Sequence, residues 1–183
     1  VGLSYNITDG LRFRARAMGD INLHNGSEFN NYGASYDPDG YFKTFGRQTY
    51  NWNYEALLTY DKSLGEISIV ATAGGNIFDY SREYTDSRIN SLLLPEVQSL
   101  SNSASVPVVN QRTSTKQIHS LFGSASVGYK RLIYLDVTAR NDWSSTLPTD
   151  NNSYFYPSVG TSFILSELLP ENGILTFGKL RAS

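Results

Sequence analysis

The sequence predicts an all-β fold, an antiparallel transmembrane β-barrel segment of about eight strands, and three observations predict it. Apolar and polar residues alternate with period two, most clearly across the fourteen residues Leu11–His24. The composition carries 13 Tyr and 9 Phe beside a single Met, a bias toward side chains that suit pleated, half-buried surfaces. The connections between the alternating stretches are short and long in turn, as in outer-membrane barrels, which keep short turns on the periplasmic side and longer loops outside.

The first strand takes Val1, Leu3, Tyr5 and Ile7 on one face and Gly2, Ser4, Asn6 and Thr8 on the other, and Asp9-Gly10 supplies the residues of a tight hairpin turn. In the second, Leu11, Phe13, Ala15, Ala17, Ile21 and Leu23 alternate with Arg12, Arg14, Arg16, Met18, Asp20 and His24. A helix would scatter the three arginines around its circumference, whereas a strand sets them on one face. At about 3.3 Å per residue this strand is long enough to cross a bilayer at a barrel's tilt. A third strand runs through Tyr50, Trp52, Tyr54, Ala56, Leu58 and Tyr60 and ends in the turn Asp61–Gly65; a fourth carries Ile67, Ile69, Ala71, Ala73 and Ile77. A fifth spans Gln117–Tyr129, a sixth Ile133–Asn141, a seventh Tyr154–Leu165 with Pro157 inside it, and an eighth begins near Leu175. The long connections are then residues 25–49 and 79–116, read as outward loops; Tyr50, Trp52 and Tyr54 fall where an outer aromatic girdle sits, and Tyr129 where an inner one does.

Alternation alone also suits a soluble antiparallel sheet with one solvated face. Strand length and the sorting of the loops favour the membrane. No run of 18 apolar residues occurs, which removes a transmembrane helix and leaves the barrel open. The chain opens at Val1 without an initiator Met and stops at Ser183 within an apparent strand, so the expectation is a piece of a longer protein.

The search for chemistry returns little. A formal net charge of -2, with 15 basic and 17 acidic residues spread along the chain, gives no basic stripe for nucleic acid. Without cysteine there is no disulfide framework, thiolate metal site or cysteine nucleophile. His24 and His119 lack the spacing of a zinc motif, Gly74-Gly75 lacks the rest of a dinucleotide loop and is read as a bend or bulge, and Asp37-Pro38-Asp39-Gly40 lacks the closing ligands of a calcium loop and is read as a turn. The reading is therefore no enzyme, no cofactor and no metal. The ligand-contacting candidates are the tyrosines Tyr32, Tyr36, Tyr41, Tyr80 and Tyr84 of the long connections, whose flat amphipathic rings can stack on a ligand or pack the loops together.

One part of the chain carries a family likeness. Arg140-Asn141-Asp142-Trp143-Ser144-Ser145-Thr146-Leu147, then Ser153-Tyr154-Phe155-Tyr156-Pro157-Ser158-Val159-Gly160, then Lys179-Leu180-Arg181-Ala182-Ser183 resembles the SusC/RagA-like TonB-linked outer-membrane transporters in order and spacing. Tyr54–Asp61 resembles a strand and turn of the same family, while residues 1–49 fit it by pattern only. Many members have Gly where this chain has Trp143, a departure that bears on local turn shape. The resemblance implies a twenty-two-stranded barrel in which residues 1–183 form part of one β-barrel domain, with the plug and the TonB-contacting segment elsewhere. It further implies a Gram-negative, Bacteroidetes-like outer membrane, a SusD-like surface lipoprotein as partner, the TonB complex as energy source, and an oligosaccharide or peptide cargo. The competing functions are a passive or structural outer-membrane barrel and a soluble sugar-binding β domain.

Overall fold

The computed structural model describes residues 1–167 and 177–183. Eight strands form one antiparallel sheet in sequence order: β1 (Gly2–Thr8), β2 (Leu11–Asn30), β3 (Tyr41–Leu64), β4 (Ile67–Ile89), β5 (Val108–Tyr129), β6 (Ile133–Ser144), β7 (Ser153–Ile164) and β8 (Lys179–Ala182). Among the described residues the helical structure is confined to two 3-10 turns, Thr149–Asn151 and Leu165–Glu167. The all-β antiparallel expectation holds. The eighth strand's expected start near Leu175 lies outside the described residues.

Several boundaries are corrected. Residues 25–49 and 79–116 are not loops throughout: β2 continues to Asn30, β3 starts at Tyr41, β4 continues to Ile89 and β5 starts at Val108, so the connections shrink to residues 31–40 and 90–107. The expected turn Asp61–Gly65 shrinks to Gly65-Glu66, because β3 runs to Leu64. The reason is that a ladder does not require alternation. Backbone N–H and C=O groups need partners whatever the side chains are, and period two fades where neither face is apolar, as in Asn25-Gly26-Ser27-Glu28.

The chain divides into two compact units, one of Val1–Met18, Trp52–Phe78 and Gln117–Ser183, the other of Gly19–Asn51 and Asp79–Lys116. In the first unit the registers sort side chains onto two chemically opposite faces. Val137 lies between Ala125 and Val159, Leu135 between Val127 and Thr161, and Ile133 between Tyr129 and Phe163. One residue along, Asp136 lies between Ser126 and Gly160, Thr138 between Ser124 and Ser158, and Arg140 between Phe122 and Tyr156. The β1–β2 hairpin repeats the division, with Leu3 opposite Ala15 and Tyr5 opposite Phe13, while Ser4 faces Arg14 and Asn6 faces Arg12 and accepts a hydrogen bond from its Nε at 3.1 Å.

The polar face is internally bonded. Arg16 donates to Glu55 Oε1 through Nη2 at 2.6 Å, Asn76 Nδ2 donates to Asn53 Oδ1, and Arg140 donates to Asp142 at 2.8 Å and Ser120 at 3.0 Å while lying 5.5 Å from the Phe122 ring. Gly74 makes room there for Leu57 and Phe122, since a Cβ on it would stand 2.5 Å from Leu57 Cδ2. Among the described residues the apolar face has no cover: Leu121, Leu135, Val137, Phe155 and Val159 all remain exposed, at 61, 44, 41, 63 and 57 %. Pro157 is accommodated inside β7 because it pairs with Ala139 of β6, while β8 pairs only with Thr161–Ile164, leaving the proline's other edge without a ladder among the described residues.

The second unit has a small core of its own. Phe42, Ile89 and Leu92 are buried and are packed by Phe29 and Leu100. Asp37-Pro38-Asp39-Gly40 closes a turn in which Gly40 N–H donates to Asp37 O at 2.9 Å, with Asp at the first position, Pro at the second and Gly at the fourth as a type I turn favours. Leu92 N–H donates to Asp39 O at 3.0 Å, so the two connections are tied together by backbone. Asn102 Nδ2 donates to Leu94 O and Val97 O, and its Oδ1 accepts from Leu94 N–H, which ties the middle of the 90–107 connection back on itself.

Candidate functional site

All five candidate tyrosines belong to the second unit, in three different settings. Tyr32 and Tyr36 lie in the 31–40 connection, as expected, but Tyr41 is the first residue of β3, and Tyr80 and Tyr84 lie within β4. The loop assignment of those three is corrected for the reason given above: the polar stretches are strand.

Tyr32 is committed to structure. Its hydroxyl donates to Leu92 O, and Asn31 Oδ1 accepts from both Tyr32 N–H and Glu96 N–H. Tyr36, 94 % exposed, stands alone at the loop tip. Of the other three, Tyr41 and Tyr84 share Lys43 as a neighbour, and Tyr80 lies beside Arg82. Tyr41, Lys43, Phe45 and Arg47 occupy alternate positions of β3 and share a face, as do Tyr80, Arg82 and Tyr84 on β4. The Lys43 ammonium lies among Tyr41, Tyr84 and Glu28, 3.5 Å from the Glu28 carboxylate and 5.5 Å from the Phe45 ring centroid. Arg82 lies 5.6 Å from the Tyr80 ring centroid. The Phe45 ring covers Gly26, which has no side chain to block it, and meets the His24 ring at 5.7 Å.

Beside Tyr84 is a groove of about 430 Å³ lined by Arg47, Arg82, Tyr84, Arg112, Thr113 and Ser114. The three arginines were absent from the sequence expectations. They are far apart along the chain and form no basic run, so only the register of three neighbouring strands brings them to one place. The tyrosines gave a partial signal, since Tyr84 borders the same groove. The remaining histidine, His119, pairs across the ladder with Trp143 in the first unit.

No protein-family model matches the chain. In sequence it is 33 % identical over 141 residues to the TonB-dependent receptor P26 of Formosa agariphila, a match covering 74 % of this chain and 14 % of the relative. In fold it matches the RagAB peptide transporter with a TM-score of 0.89 at 20 % identity, over 97 % of this chain and 21 % of that one. The RagAB peptide importer in its open-open state gives 0.84 at 21 % identity, over 97 % of this chain and 20 % of that one. The chain thus spans about one seventh of the curated relative's length and about one fifth of the solved transporter's. Sequence kinship to a TonB-dependent receptor over three quarters of the chain decides the matter, and the fold agrees with it: the chain belongs to the family of TonB-dependent receptors.

Proposed function

We propose that this chain is part of the wall and outer rim of an outer-membrane, TonB-dependent importer of a bulky polar nutrient, an oligosaccharide or a peptide, working with a SusD-like surface lipoprotein. Its strands belong to one large β-barrel domain, twenty-two-stranded by the family pattern, whose plug and TonB-contacting segment are supplied by other parts of the protein. The chain takes no part in covalent chemistry; it walls the pathway and shapes its mouth.

The observation that carries this reading is the sheet's two faces. An apolar face of Leu121, Leu135, Val137, Phe155 and Val159 left exposed in water is an aggregation hazard, and lipid is the environment that resolves it. The opposite face, with its arginines, serines and aspartates, suits a hydrated lumen. Trp52 and Tyr54, stacked at 6.5 Å on β3, fit an outer aromatic girdle, and Tyr129 fits an inner one. Tyr41, Tyr80 and Tyr84 are proposed to contact cargo, with Tyr36 at the loop tip available to cargo or lipoprotein, and Tyr32 bracing the loops.

Energy coupling follows from the barrel's width. A lumen this wide conducts unless plugged, and moving a plug needs work delivered from the inner membrane. Uptake of a candidate glycan or peptide by cells expressing the full-length protein is expected to stop when TonB is deleted; uptake unchanged by that loss promotes a passive pore. Orientation has its own test. Ser35→Cys and Ser101→Cys are expected to react with a membrane-impermeant thiol reagent on whole cells and Ser63→Cys is not; the reverse pattern inverts the topology.

A further inference from the structure

We propose that the groove bordered by Arg47, Arg82 and Arg112 binds an anionic group, a carboxylate or a similar oxyanion, carried by the solute; the proposal rests on the importer reading and assigns its cargo a charge. The three guanidinium groups come from three neighbouring strands, β3, β4 and β5, and converge on one groove. Among the described residues none of them lies within ion-pair distance of a carboxylate, although the chain holds 17 acidic residues. Other cations do have partners: Arg16 has Glu55, Lys43 has Glu28, Lys130 has Glu66 and Arg140 has Asp142.

Like charges on neighbouring strands repel and destabilise the sheet. An arrangement that concentrates three of them becomes favourable once an anion enters, and a concave wall of one sign focuses potential and draws such an anion in. Arginine suits the task because its planar fork donates two parallel hydrogen bonds to a carboxylate or similar oxyanion. Arg82 is held against the Tyr80 ring, which steadies the fork without neutralising it. Tyr84 and Ser114 add hydroxyl groups at the groove's border. Its volume of about 430 Å³ falls within the range of small-ligand clefts.

The same chemistry would serve a lipid phosphate, and the lining decides between the sources. None of the six residues is aliphatic, so the groove has no surface for acyl chains, whereas hydroxyls, guanidinium groups and a tyrosine ring suit a polar solute.

The test uses the full-length protein in detergent with inorganic sulfate as probe, followed by titration calorimetry, for the native protein and for R47Q/R82Q/R112Q. Saturable sulfate binding that weakens at least tenfold in the triple variant is expected. Absence of saturable binding in the native protein, or equal affinity in both, overturns the site. Should the triple variant fail to assemble, R82Q alone is measured, with at least a threefold loss expected and an unchanged affinity overturning it. Lipopolysaccharide phosphate copurifying with native and variant protein is expected to be equal; its loss from the variant would assign the groove to lipid and overturn the solute reading. Sulfate binding needs no TonB, so loss of the importer reading and loss of this site register in different experiments.

Discussion

At Gly10 two independent constraints meet. Its φ is +92°, in the region L side chains avoid, and a Cβ there would stand 2.5 Å from the Asp61 carbonyl oxygen. Its own carbonyl accepts from Asp61 N–H at 2.7 Å, so the backbone cannot simply retreat. Gly33 has nearly the same conformation, φ +81°, but nothing lies within 4 Å of its missing Cβ. Gly10→Ala is therefore expected to cost about 3 kcal/mol, the left-handed penalty plus an overpacking term, and Gly33→Ala about 1 kcal/mol from conformation alone. Urea unfolding of the full-length protein in detergent separates them, and equal losses would contradict the account. Asp9-Gly10 was legible as a turn because the pair is itself a turn signal. Tyr32 was not legible as a structural residue: its hydroxyl partner, the Leu92 carbonyl, lies in the other connection, and no local pattern announces such a bond.

Among the elements, the Tyr129–Leu132 turn is the one whose chemistry departs from its geometry. Lys130 and Arg131 both have positive φ, +53° and +59°, and Leu132 N–H donates to Tyr129 O at 2.9 Å. A β-turn between hairpin strands with both central residues left-handed normally takes Asn-Gly. Two long cations stand here instead, and the half-exposed Lys130 ammonium is held protonated to higher pH than usual by the Glu66 carboxylate beside it and then by Tyr129. Arg131→Gly is expected to raise unfolding stability by up to about 1 kcal/mol, strain relief offset in part by glycine's greater chain entropy. Arg131→Val is expected to lower it by at least as much, because a β-branched side chain tolerates positive φ worst. Unfolding midpoints in the same denaturant series check the order of the three proteins; Val equal to Gly would show that the turn is not strained. Strand existence was legible wherever one face is apolar, as in Leu11–Ala17. Strand ends were not, because in Asn25–Asn30 and Val108–Lys116 the ladder is sustained by backbone pairing with few apolar side chains to mark its phase.

On the scale of the whole molecule, function follows from which solvent each face of the sheet meets. Val137 and Thr138 are adjacent on β6, so substituting each compares the two faces at one depth. Val137 stands between Ala125 and Val159 on the apolar face, while Thr138 stands between Ser124 and Ser158 on the polar one. If the apolar face meets lipid, an arginine at Val137 must place its guanidinium in hydrocarbon or bend toward an interface, at a cost of about 2–4 kcal/mol near mid-membrane. At Thr138 the same side chain enters a hydrated space beside small hydroxyl-bearing neighbours, and the cost is expected to stay below about 1 kcal/mol. In a soluble sheet with a covered core the order would be similar but the cause different: Val137 would be shielded by protein, whereas it is 41 % exposed among the described residues. The two causes separate by solvent. Folding of Val137→Arg and Thr138→Arg forms of the full-length protein is measured in bilayers of different hydrocarbon thickness. The Val137→Arg penalty is expected to shrink in thinner bilayers, where the guanidinium reaches water sooner, and the Thr138→Arg penalty to stay constant. A Val137→Arg penalty independent of bilayer thickness would place that face against protein and remove the barrel-wall assignment.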